Sequence, residues 1–112
     1  MVTPLEKGSL IWVNFDLQAG HEQAGHRPAL VISEAAYLAA TGLALVVPVT
    51  SHKKNYPFEV TLPAGCAISG VILSDQVKCL DLKARMFKLA GKAPQDVVDD
   101  VLAKLAALVG WT

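Results

Sequence analysis

Leu43-Ala44-Leu45-Val46-Val47-Pro48-Val49 is an unbroken apolar run, and it decides how the rest of the chain must be arranged. A strand that is apolar on both faces belongs in the middle of a sheet, covered above and below. Just before it, Thr41-Gly42 ends a short helix predicted over Glu34–Ala40, which alanines favour and Ser33 could cap. Further upstream, Pro28 opens a strand over Ala29–Ile32, since a missing N–H is tolerated at a strand's first residue. Asp16–Arg27 reads as a long loop, with Gly20, Gly25 and no apolar period. Ser9–Phe15 is a strand by alternation, with Ile11, Val13 and Phe15 on one face and Leu10, Trp12 and Asn14 on the other.

Downstream of the run, Thr50–Tyr56 is a polar loop. Pro57–Leu62 alternates as a strand, with Phe58, Val60 and Leu62 on one side. Gly70–Leu73 and Gln76–Leu80 predict two short strands around a Ser74-Asp75 bend, and Ala84–Leu89 predicts another. The end changes period. Pro94 fits a first helical turn, Asp96 suits its dipole, and Gly110 stops it. Between them Val97, Val98, Val101, Leu102, Leu105, Leu108 and Val109 form an apolar stripe, with Asp100 and Lys104 paired on the other face. Many short strands followed by one amphipathic helix make a mainly β fold, a small barrel or curled sheet with a helix packed on it.

The length, 112 residues, suits a single domain spanning residues 1–112. An apolar content of 53% and a mean hydropathy of +0.40 exclude a disordered chain. The formal net charge is zero, so nothing global announces a nucleic-acid partner. The charge is uneven, however. Ser51 to Lys92 holds seven Lys/Arg (Lys53, Lys54, Lys78, Lys83, Arg85, Lys88, Lys92) against three acids (Glu59, Asp75, Asp81). A local basic face can bind phosphates without a basic isoelectric point. Cys66 and Cys79 form no CxxC and are expected as buried free thiols. The start carries Pro4, Glu6 and Lys7 with no long apolar core, and no run approaches the ~18 apolar residues of a membrane span. The expectation is a soluble cytoplasmic protein with no membrane partner.

Three loops concentrate polar chemistry. In His21-Glu22-Gln23-Ala24-Gly25-His26-Arg27-Pro28 the two histidines are five apart with a glycine between them. A zinc-binding helix needs them four apart on one face, so no metal site is expected. Arg27 precedes proline, which biases it to an extended backbone at the mouth of a strand. Its planar fork could grip a phosphate there, or it could simply pair with Glu22 or Glu59. Thr50-Ser51-His52-Lys53-Lys54-Asn55 follows the buried strand, so a rigid element aims Thr50. Two hydroxyls and two lysines suit a phosphodiester, and a plain solvated turn explains them as well. Asp75, Gln76 and Lys78 form a third cluster, where turn chemistry accounts equally well for Asp75.

Taken together these segments resemble the MazF/PemK/Kid toxins. The matching residues run Gly8-Ser9-Leu10-Ile11-Trp12-Val13-Asn14-Phe15-Asp16, then Glu22 through Ser33. They continue with Val47-Pro48-Val49-Thr50, Tyr56-Pro57-Phe58-Glu59-Val60 and Asp75-Gln76-Val77-Lys78. The resemblance covers nearly the whole chain, in order. It implies an SH3-like barrel with a C-terminal amphipathic helix, assembled as a homodimer. It implies cleavage of single-stranded RNA without metal or cofactor, leaving 2′,3′-cyclic phosphate and 5′-hydroxyl ends. It also implies a MazE-like antitoxin whose disordered acidic tail folds into the RNA groove. In such toxins an Arg and a Thr at the positions of Arg27 and Thr50 carry catalysis, and Glu22 matches an acidic position near them.

The residue types suit that chemistry. RNA supplies its own nucleophile, the 2′-OH, so the protein mainly aligns and stabilises. A phosphorane gathers negative charge that Arg27 and the Thr50 hydroxyl can stabilise. A guanidinium gives up its proton too reluctantly to be a good base, so Glu22 or His26 fits proton transfer better. Lys53, Lys54 and Lys78, with Ser51 and His26 beside them, are expected to meet phosphates, and Phe15 or Gln76 bases. The alternation also allows Phe15 to be core. Two other readings compete. The same barrel serves CcdB-like toxins, which bind gyrase and cut nothing, and this chain ends Gly110-Trp111-Thr112, similar in composition to their terminal Trp-Gly. An inactive module that only titrates an antitoxin is the other.

Overall fold

A computed structural model describes residues 5–15 and 26–111. Its elements run β1 (Ser9–Asn14), β2 (His26–Val31), α1 (Ala35–Thr41), β3 (Leu43–Thr50), β4 (Glu59–Thr61), β5 (Val71–Leu73), β6 (Lys78–Asp81), β7 (Phe87–Lys92) and α2 (Gln95–Val109). All pairings are antiparallel, in the order β4-β5-β3-β2-β1-β7, with β6 also on β3. The apolar run is therefore the hub. β3 meets β2 on one edge, and on the other it meets β6 with its first half and β5 with its last two residues. The expected mainly β fold with a C-terminal helix is present. Among the described residues the strand order ends at β4 and β7, so hydrogen bonds do not close the barrel into a ring.

Both faces of the sheet are covered, as the unbroken hydrophobicity of β3 requires. Leu10, Leu30, Val47, Val49, Val60 and Ile72 pack with Ala93, Val97, Val98 and Val101, which lead into and belong to α2. Burying one such valine contributes roughly 1.5–3 kcal/mol. On the other face Ile11, Val13, Ala29, Val31, Ala44 and Val46 meet Leu5, Leu80 and Leu82, with Phe15 and Leu38 at the margin. The alternation read in β1 is thus the division between the two cores. Asp96 stands in the first turn of α2, Lys104 and Asp100 pair at 3.5 Å, and Gly110 caps the helix in the left-handed region. The apolar stripe outruns the core: Leu108 and Val109 are exposed.

Proline sits inside β3, which explains where β3 changes partners. Ile32 N–H donates to Leu45 O at 2.9 Å, so the alternation turns Pro48's backbone groups away from β2. The β6 pairing stops at Val46 and the β5 pairing starts at Val49, so the missing N–H of Pro48 falls in the gap. Pro28 behaves similarly. It lies inside β2 and does not open it, because the backbone facing β3 is paired only from Ala29 onward.

Other boundaries also differ from the sequence reading. His26 and Arg27 belong to β2, paired with Asn14 and Val13, and are not loop. Ser33 does not cap α1; its Oγ accepts Leu45 N–H at 2.9 Å, tying the turn to β3, while Glu34 takes the N-cap position. β4 begins at Glu59 because Pro57 occupies a turn closed by Glu59 N–H donating to Tyr56 O. β7 begins at Phe87 because the Asp81 carboxylate accepts the amides of Lys83 and Ala84, holding that segment as a turn. Both cysteines are free, but only Cys66 is half-buried; Cys79 is exposed on β6.

Candidate active site

The β2–β3 register builds the site. Ala29 faces Pro48, and continuing that register by two residues sets Arg27 across from Thr50. Both line one open groove of about 620 Å³, with Trp12, Ser51, His52 and Gln76. Arg27 is exposed, and its side chain has no ion pair or hydrogen bond among the described residues. The proposed anchor Glu59 does not hold it: Glu59 Oε2 accepts Lys54 N–H at 2.9 Å. Glu22, the other anchor and the expected acidic neighbour of the site, lies outside the described residues, as does His21.

Thr50 is fixed from two sides. Val71 pairs with it in β5, and the neighbouring Gly70 lies so close that a Cβ there would overlap the Thr50 carbonyl oxygen. Thr50 Oγ1 accepts His52 N–H at 3.2 Å. That bond uses one of the hydroxyl's two lone pairs, and the O–H has no acceptor among the described residues, so it is free to donate to a ligand in the groove.

A second cavity, about 500 Å³, adjoins the first and shares Thr50, His52, Leu73 and Gln76 with it. Lys54, Tyr56, Glu59 and Asp75 complete it. Tyr56 OH donates to Asp75 Oδ2 at 2.6 Å. That bond, with some burial and the carboxylate's charge, raises the Tyr56 phenol above its ordinary pKa. These contacts latch the loop after β3 along its far side and leave Ser51, His52 and Lys53 exposed.

The expected RNA contacts divide accordingly. Ser51 and Gln76 line the groove, Gln76 both cavities, and Lys54 the second. Lys53, Lys78 and His26 are exposed outside these linings. Phe15 is half-buried against the core that holds Val13, which fits its core reading. Of the basic stretch, Lys92 is paired with Glu6 at 3.3 Å and Arg85 donates to the Asn14 and Phe15 carbonyls at 2.9 Å. Among the described residues Lys53, Lys54, Lys78, Lys83 and Lys88 have no ion pair and remain available to phosphates. Sequence reading missed Trp12 as a groove wall and Tyr56 as a cavity wall, although an exposed aromatic in a polar loop was a usable signal for Tyr56.

A model of the PemK-like, MazF-like toxins of type II toxin–antitoxin systems matches residues 6–109. The chain belongs to that family. Endoribonuclease toxin MazF of Escherichia coli K12 is 45% identical over 105 residues, 94% of each chain. Endoribonuclease PemK of Escherichia coli is 37% identical over 109 residues, covering 94% of this chain and 82% of that one. The structure superposes on a MazE–MazF structure from Deinococcus radiodurans with a TM-score of 0.90 and 50% identity, over 99% of this chain and 100% of that one. The open strand order is thus compatible with the fold of this toxin family. Among the described residues no helix is long and apolar enough to cross a membrane.

Proposed function

We propose that this toxin is a cytoplasmic endoribonuclease that cuts single-stranded RNA in the Arg27–Thr50 groove, without a metal, and that a MazE-like antitoxin silences it. The observation that carries this reading is the β2–β3 register, which brings a cation with no ion pair among the described residues opposite a hydroxyl free to donate. The ribose 2′-OH loses its proton and attacks the adjacent phosphorus. Negative charge collects on the non-bridging oxygens, where the Arg27 fork and the Thr50 O–H stabilise it. The P–O5′ bond then breaks, and the 5′-oxygen takes a proton, leaving a 2′,3′-cyclic phosphate and a 5′-hydroxyl. Glu22 or His26 serves as the proton acceptor.

Thr50 separates this reading from binding alone. Thr50→Ser keeps the O–H and is expected to retain most cleavage of a long single-stranded RNA in EDTA. Thr50→Val removes it and is expected to slow cleavage by ~10²–10³-fold, the usual loss of one oxyanion donor. Equal rates for Ser and Val variants would exclude the hydroxyl from the reaction.

The toxin acts as a homodimer, a reading supported by Met86, Phe87 and Leu89, which a single chain leaves exposed at the edge strand β7. Sedimentation of the purified chain should give twice the monomer mass, and a monomer at micromolar concentration would exclude it. The antitoxin reading is supported by the likeness to the MazE–MazF structure and by Lys54, which lines the adjoining cavity and has no ion pair among the described residues.

A further inference from the structure

Pairing with β5 holds the Thr50 backbone, but it does not set the side-chain torsion, and a threonine Oγ1 has three staggered positions to choose from. The one contact that selects among them in the described residues is the His52 N–H, which donates to Oγ1 at 3.2 Å. His52 lies in the exposed run 51–57, so the path of that loop decides where its amide points. Two ties fix the path. Glu59 Oε2 accepts Lys54 N–H at 2.9 Å, and Asp75 Oδ2 accepts the Tyr56 hydroxyl at 2.6 Å. Both carboxylates stand on fixed backbone: Glu59 pairs with Leu73 in β4–β5, and Ser74 N–H, next to Asp75, donates to Phe58 O at 3.0 Å. Between the ties Asn55 has φ +56°, a left-handed conformation that a free chain samples little. The carboxylates gain no other side-chain bond among the described residues. The second oxygen of each, Asp75 Oδ1 and Glu59 Oε1, is buried without a donor, which costs stability. Stability alone is therefore a poor account of either group, whereas holding the loop gives both the same task.

We propose that Glu59 and the Tyr56–Asp75 pair are positioning residues for the cutting reaction: they fix the loop after β3 so that the His52 amide keeps the Thr50 hydroxyl turned into the groove. The proposal rests on the RNA-cleaving reading of that groove. Neither carboxylate bonds to Thr50, so both act through the loop backbone. The chain of contacts is short. Glu59 holds the amide of Lys54, two residues from His52, and His52 holds the hydroxyl two residues further back. Tyr56 closes the far end, and its backbone carbonyl accepts Glu59 N–H at 3.0 Å, so the two ties brace one another. With the ties cut, the loop carries the His52 amide away and Oγ1 is free to turn to its other staggered positions. Those positions point the O–H elsewhere, so a smaller share of the bound complexes is ready to react.

The test compares Glu59→Ala and Tyr56→Phe, which remove one tie each, with Glu59→Gln, which keeps an acceptor for the Lys54 amide. Each is made in the wild-type chain and in Thr50→Val, and thermal melts confirm folding. Single-turnover cleavage of one long RNA at saturating protein removes differences in affinity from the comparison. In the wild-type chain Glu59→Ala and Tyr56→Phe are expected to slow the chemical step by ~10-fold, less than the ~10²-fold of a 1 Å displacement because Thr50 still visits its working position. Glu59→Gln is expected to restore most of the rate. In Thr50→Val there is no hydroxyl to aim, so the same substitutions should change the rate by less than ~2-fold; that failure of additivity is what a merely structural role would not produce. Equal losses in the two backgrounds overturn the proposal, as do unchanged rates in both Glu59→Ala and Tyr56→Phe. A Glu59→Gln chain as slow as Glu59→Ala also overturns it, because the tie would then have no part in the loss. A folded wild type that cuts nothing would instead overturn the RNA-cleaving reading itself, and the positioning role with it.

Discussion

Arg27→Ala is expected to fold and melt like the wild type while cutting RNA ~10²–10³-fold more slowly, the loss that follows removal of one charge-stabilising donor. The first half of that expectation follows from exposure. The Arg27 side chain has no ion pair or hydrogen bond among the described residues, and its backbone is held by the β1 pairing with Val13, which alanine keeps. The second half follows from chemistry. A phosphorane is more negative than the phosphodiester before it, so a cation facing it acts more strongly on the transition state than on bound RNA. The defect should therefore appear in the rate of the chemical step more than in affinity. Single-turnover cleavage with saturating protein reads that step directly. Arg27→Lys should restore little, because a point charge lacks the planar fork that spans two phosphate oxygens. If Arg27→Ala cut normally, Arg27 would have no part in the chemical step. If the folded wild type cut nothing, gyrase inhibition by the purified chain would be the next measurement, with the exposed Trp111 as its contact.

What the sequence makes legible here is whatever has a period or a stop signal. The division of β1 into two cores follows from simple alternation of Leu10, Ile11, Trp12 and Val13. The C-terminal helix follows from its stripe between Pro94 and Gly110. Features set by contacts between distant residues are not legible in that way. The start of β7 is decided by a carboxylate, Asp81, that takes two amides, and nothing in the apolar pattern of Ala84–Leu89 records this. Likewise Arg27 and Thr50 attract attention one by one as polar residues at strand ends, but only the β2–β3 register makes them partners. The second cavity depends on Tyr56 meeting Asp75, 19 residues later, across the β4–β5 turn. Resemblance to a toxin family compensated for the second of these gaps, because Arg27 and Thr50 fall on its catalytic positions. It gave no reason to read Glu59 as anything but an ion-pair partner for Arg27, a role the structure assigns to neither.

The aim of Thr50 gives the other large effect. Gly70 has φ +130°, where a side chain is strained, and an added Cβ would overlap the Thr50 carbonyl oxygen and stand 3.3 Å from Val49 Cγ1. Those are backbone and β-branched core atoms, so neither can swing aside as the end of a lysine could. Gly70→Ala must therefore move β3 away from β5 at the residue that carries the hydroxyl. The expected result is a destabilisation of at least roughly 1–3 kcal/mol from backbone strain alone. Cleavage by the remaining folded protein should fall ~10²-fold, the scale of a displacement near 1 Å at a reacting group. Gly65 separates the two effects. It too has a left-handed φ, +96°, but an added Cβ there meets nothing within 4 Å. Gly65→Ala should lose stability by strain and keep its cleavage rate per folded molecule. Urea unfolding measures the first quantity, and single-turnover cleavage at low urea, where both variants are folded, measures the second. Equal rates in the two variants would mean that the strand absorbs the extra carbon without moving Thr50. A loss confined to Gly70→Ala would show that the close approach of β5 to Thr50 sets the position of the hydroxyl.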